Sequence, residues 1–140
     1  MAEISNIESA RFWIASAHAT LKISVYTTAM YSAEMAAEIA LKGVLVALGM
    51  DIPKAHDIVP LMKASFEEKR TLLPKEFLEK ERFMFTTLKM LVDLRPLVGY
   101  AHEGNIDEKK IRTEAPEYVK KAEEIVELCG KAIAHINKKK

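Results

Sequence analysis

Met30–Gly49 reads MYSAEMAAEIALKGVLVALG, and the fold turns on this stretch. Its residues suit one helix that is apolar almost all the way round. Only Glu34, Glu38 and Lys42 interrupt it, four residues apart, so they are expected along one line of its surface. A helix with so little polar face belongs inside a bundle. Ala33, Ala36, Ala37, Ala40, Gly43 and Ala47 allow neighbouring backbones to come close. Glu38 before Lys42 is the favourable order for a helix ion pair. The pair reads either as a device that fixes helix register or as a ligand contact.

Working outward, 140 residues suit a single domain over 1–140 with one core. An apolar share of 49%, with only 5 Gly and 5 Pro, argues against disorder and against a loop-rich fold. A net charge of +1 advertises no broad basic field, so any RNA or nucleotide would be held at a local site. One cysteine, Cys129, rules out an internal disulfide and fits a reducing compartment. The N-terminus MAEISNIESARF lacks a signal pattern, and Lys42 breaks the longest apolar run. The expectation is a cytoplasmic protein without a membrane span.

Upstream, Ser5 and Glu8 form a capping-box pattern. Ile7, Ala10, Ile14, Ala17, Leu21 and Val25 recur at helical spacing, which predicts a first helix from Ser5 to about Tyr26. Thr27 and Thr28 mark a break, and Gly49 caps the second helix. MDIPKAHDIVP is a connector in which Asp57 would cap a short third helix to Lys69, with Pro60 in its first turn. Pro74 opens a fourth helix with Phe77, Met84, Phe85, Leu88, Leu91 and Val92 on its apolar face; Arg95-Pro96 should end it. Thr113 would cap the last helix, with Pro116 in its first turn and Tyr118, Ala122, Ile125, Cys129, Ile133 and Ile136 lining one side. No segment alternates as a strand would. The fold class is therefore all-α, an antiparallel bundle of four to five helices.

Several chemistries are absent from the pattern. There is no phosphate loop and no HExxH helix. His18, His56, His102 and His135 are too scattered for a metal site, so neither metal nor cofactor is expected. Glu67-Glu68 and Glu123-Glu124 fall on expected solvent faces. One constellation remains, Arg95 and His102 in LRPLVGYAHEGN, flanking the one long loop. Arginine presents a planar fork to phosphate oxygens, and histidine exchanges a proton near neutral pH. Without a metal, His102 could move the proton of a ribose 2′-hydroxyl while Arg95 stabilises charge at phosphorus. Tyr100 could stack on a base. The plainer account makes Arg95 a helix-end residue and His102 an ordinary loop residue.

YSAEMAAEIALKGVLVALG, followed by HDIVPLM, resembles the signature of HEPN domains. Tyr31, Ala33, Ala36, Ala37, Glu38, Ala40, Leu41, Lys42 and Gly49 carry the resemblance, then His56 and Asp57, with Arg11, Phe12 and Trp13 on the first helix. The resemblance implies a four- to five-helix up-and-down bundle that works as a homodimer. It implies binding of a nucleotide or RNA phosphate, or partnership with a minimal nucleotidyltransferase in a toxin–antitoxin-type pair. Many members are instead metal-independent ribonucleases with an arginine and a histidine a few residues apart, in a site completed across the dimer. Here residues 96–101 separate Arg95 from His102. Pro96 stands where active nucleases usually carry Asn, Asp or His. The binding module is accordingly the first expectation, and an endoribonuclease using Arg95 and His102 the second.

Overall fold

The structure is a computed structural model that describes residues 5–52, 58–99 and 108–140, with backbone alone at 95–99 and 108. Six α-helices follow one another: α1 (Asn6–Lys22), α2 (Tyr26–Ala47), α3 (Val59–Glu68), α4 (Lys75–Glu79), α5 (Glu81–Gly99) and α6 (Glu108–Lys138). A 3-10 turn, Arg70–Leu72, sits between α3 and α4. There is no strand among the described residues. Gly43 of α2 lies against Asn6 at the start of α1 and Ile133 near the end of α6. At the other end, Met30 of α2 clusters with Leu91 of α5 and Ile111 of α6. The long helices α1, α2, α5 and α6 thus run up, down, up and down.

Helix α2 is the centre. Ala33, Ala36, Ala37, Ala40, Leu41, Val44 and Leu45 are all 0% exposed. Ala10 and Ala17 of α1 and Ala122, Ile125 and Cys129 of α6 join them in one core. Small residues on facing helices bring the backbones together, so the burial comes from close helix approach as well as from large side chains. Near the start of α5, Phe66 closes the core edge-on to Phe77, ring centroids 5.4 Å apart, and at 5.6 Å from Phe85. Leu61 of α3 points outward and is 47% exposed.

Helix ends are where local chemistry is most legible. Ser5 caps α1, its hydroxyl accepting from the Glu8 N–H at 3.1 Å. Helix α1 stops at Lys22, short of the expected Tyr26, and the break falls before Thr27 and Thr28. Ser24 takes a left-handed φ of 63°. Its N–H bonds the Leu21 carbonyl at 3.0 Å while the Val25 N–H bonds that of Thr20 at 2.7 Å. Those two bonds make a Schellman motif, with serine in the place glycine usually fills. Gly49, at φ 76°, repeats it after α2: its own N–H bonds the Val46 carbonyl and the Met50 N–H that of Leu45, each at 3.0 Å.

Three boundaries differ from expectation. The fourth helix is two pieces, α4 and α5, broken at Lys80, and Pro74 caps α4 rather than opening it. Helix α5 does not stop at Arg95 but continues through Pro96 to Gly99. Proline withholds one backbone bond, yet a helix bends rather than ends when its earlier turns are held by packing. Here Leu88 and Leu91 are buried and Leu94 packs beside them. Helix α6 begins at Glu108, so Pro116 lies inside it and Thr113 caps nothing; its hydroxyl donates to the Lys109 carbonyl at 2.9 Å. The extra turns bury Ile111 and Ala115, extending the stripe that Tyr118 seemed to start. Asp57, expected as a cap, lies outside the described residues, and Ile58 precedes α3.

The line of charge on α2 is also corrected. Glu34 is buried, 1% exposed, whereas the Glu38 and Lys42 side chains are 16% and 24% exposed. Each step of four residues overshoots one turn by about 40°, so the line winds from solvent into the core. Lys42 Nζ and Glu38 Oε2 do pair, at 3.4 Å. His18 and Glu123, both exposed, link α1 to α6 at 3.0 Å, and Lys80 meets Glu124 at 3.5 Å. Exposed pairs of this kind contribute about 0–1 kcal/mol.

Candidate functional site

Four helix ends meet where α1 turns into α2. The last turn of α1, the first turns of α2 and α6 and the end of α5 share a small core of Met30, Leu91, Ile111, Ala115 and Tyr118. Leu21, Tyr26 and Leu94 pack against it. Tyr118 is buried, with its hydroxyl donating to the Met90 sulfur at 3.5 Å. Burial, then the nearby carboxylates Glu114 and Glu117, push its phenol above the usual tyrosine range. Tyr118 is thus a neutral packing residue here.

Arg95 follows Leu94 on α5, and its backbone is helical. A helix is a firmer base for a side chain than the loop expected at this point. Tyr100 and His102 lie outside the described residues, as does His56.

A cleft of about 500 Å³ opens at the same end. Ser24, Val25, Tyr26 and Thr27 form one wall, Ile111 and Arg112 the other. The Arg112 guanidinium lies over the Tyr26 ring, 5.7 Å from its centroid. Among the described residues Arg112 has no carboxylate partner. Lys22, Lys109 and Lys110 are exposed on the neighbouring helix ends. Neither Tyr26 nor Arg112 stands out as a site residue by residue type or spacing alone. Their signal was the turn from Thr20 to Val25, which places Tyr26 at a helix start, and Ile111 in register with Tyr118, which carries α6 back to Arg112.

Among the described residues no group of His, Cys, Asp or Glu side chains is arranged to hold a metal, and no helix is long and apolar enough to cross a membrane. The family model for the HEPN domain matches residues 5–133. The chain belongs to the HEPN family. No curated protein and no solved structure matches it. The match runs from the cap of α1 nearly to the end of α6. It therefore covers all four long helices of the HEPN bundle and the end where Arg95 and the Arg112 cleft lie.

Proposed function

We propose that this HEPN protein is a dimeric module that binds nucleotide or RNA phosphate, acting beside a minimal nucleotidyltransferase in a toxin–antitoxin-type pair. Family membership over residues 5–133 carries the reading. The gathering of Arg112 and exposed lysines at the end of the bundle that holds Arg95 supports it locally. In this reading Arg95 and Tyr100 hold the phosphate and the base. A dimer is supported by the outer side of α2, where Tyr31, Ile39 and Val46 are partly or largely exposed. Trp13 of α1 packs edge-on to Tyr31 at 5.9 Å, widening that apolar patch. Calorimetry of the purified chain with mononucleotides, single-stranded RNA and the nucleotidyltransferase tests the proposal. Heat on none of the three refutes it.

A second reading has its own support. Arg95 stands on helix α5, not in a loop, which favours a held arginine and hence a metal-independent endoribonuclease of Arg95 and His102. His102 would take the 2′-hydroxyl proton, the 2′-oxygen would bond to phosphorus as the bond to the 5′-oxygen breaks, and the leaving 5′-oxygen would take a proton from solvent water. Arg95 would steady the charge on the phosphoryl oxygens. RNA incubated with the protein in chelator should then be cut, and His102→Ala should abolish the cut. Cleavage surviving His102→Ala rules this chemistry out.

A further inference from the structure

We infer that the Arg112–Tyr26 cleft is a nucleotide subsite that takes one nucleotide of a single-stranded RNA, at the end of the bundle where α5 finishes and α6 begins. The inference rests on the proposal that this end of the bundle binds RNA and adds residues to it. The cleft's volume, about 500 Å³, falls in the range of small-ligand sites, about 300–1,000 Å³. Its chemistry is mixed in the way a nucleotide needs. Ile111 supplies an apolar wall, and Ser24 and Thr27 bring hydroxyls. Arg112 brings a guanidinium with no carboxylate partner among the described residues.

The arrangement of Arg112 on Tyr26 is the informative feature. A long surface arginine is normally spread over many rotamers, and ordering it costs entropy. Here the ring contact at 5.7 Å already holds the guanidinium beside the cleft. A guanidinium so placed can stack under an unpaired base or present its edge to a phosphate. The Ser24 and Thr27 hydroxyls on the facing wall offer partners to a ribose 2′-hydroxyl, which DNA lacks.

The test is fluorescence anisotropy of a labelled short single-stranded RNA against the full-length chain, with the DNA of the same sequence and a free nucleoside monophosphate as separate arms. Three variants are compared with Arg95→Ala. Arg112→Gln should weaken RNA binding about 10-fold and lower the salt slope by about 0.7, the share of one phosphate contact on a single strand. Tyr26→Leu should weaken it about 5- to 10-fold through loss of the stacked platform. Thr27→Glu puts a negative charge beside the cleft in the first turn of α2, where acid suits the helix, so the fold is kept while phosphate is repelled. RNA bound better than DNA, and better than the monophosphate, agrees with one nucleotide of a strand. If Arg95→Ala weakens binding and none of the three variants does, the subsite is refuted and the wider reading stands. Wild-type protein that binds no RNA refutes both. Equal binding of DNA refutes the assignment of the 2′-hydroxyl contact.

Discussion

Gly43 and Gly130 are both helical glycines, and replacing each by alanine should move stability in opposite directions. In a helix interior the exchange alone gains about 1 kcal/mol. At Gly130 that gain should be kept, because a new Cβ would sit 3.5 Å from the Arg11 guanidinium and 3.9 Å from Ile7, ordinary contact with movable side chains. At Gly43 the same Cβ would lie 2.8 Å from the Asn6 Cβ and 3.3 Å from the Ile133 methyl. Asn6 Cβ hangs directly on the first turn of α1, so the backbone itself must retreat by more than half an ångström to restore contact. Overpacking of this kind costs about 1–3 kcal/mol. Net of the helix gain, Gly43→Ala should lose about 1 kcal/mol while Gly130→Ala gains about 1. At roughly 3–4 °C per kcal/mol for a chain of this size, the two variants should melt about 6–8 °C apart. Thermal and urea unfolding by circular dichroism measure the difference. A Gly43→Ala protein as stable as Gly130→Ala would refute the claim that α1 and α2 are held together by the missing side chain.

Ser24→Gly should stabilise the protein by about 0.5–1 kcal/mol, since it removes a left-handed serine at the end of α1; an unchanged urea midpoint counts against that strain. Cys129 is buried and burial pushes its thiol far above the ordinary value of 9.0, so a thiol reagent should label it only as fast as the protein opens. In the unfolded chain the same thiol ionises near pH 9.0, so its share of stability is intact below that pH and lost above it, about 1 kcal/mol by one unit higher. Cys129→Ala should flatten that alkaline fall, read from urea midpoints across the pH range, and a fall of unchanged slope would assign it elsewhere. Pro116→Ala restores a helical hydrogen bond inside α6 and should gain about 2 kcal/mol less a few tenths for the freer unfolded chain; loss of stability would mean Pro116 is not helical.

The bundle was legible because its evidence is periodic. The alanines of α2, the Ile7–Ala17 stripe of α1 and the Ile125–Ile136 stripe of α6 repeat at helical spacing, and all are buried or nearly so. Periodicity averages over many residues, so one misplaced cap does not disturb it. Boundaries rest on single residues and are settled by tertiary packing. Pro96 and Pro116 read as helix limits because each lacks an N–H, but Leu91 and Ile111 bury enough surface against Met30 to carry both helices past them. Glu34 was misplaced for a geometric reason, the drift of a four-residue step. Of the candidate site, Arg95 could be named from residue type and spacing. Tyr26 and Arg112 could not, because they lie 86 residues apart and meet only when α6 is allowed to start at Glu108.

The two interior prolines flank the same segment, one on each side, and both weaken the end of the bundle where Arg95 and the cleft lie. Each costs a backbone hydrogen bond that alanine would supply. Neither is placed where a helix tolerates proline freely, as Pro60 is in the first turn of α3. Elsewhere this chain is built for close packing, with fully buried alanines on α1, α2 and α6. A sequence that obeys local rules along the core and departs from them at one end has that end under a different demand. Binding would be such a demand, and the Arg112–Tyr26 cleft lies at this end. The same departure lowers the cost of local opening at this end. If the cleft binds as proposed, stability and recognition pull in opposite directions at this end, where both α5 and α6 carry an interior proline.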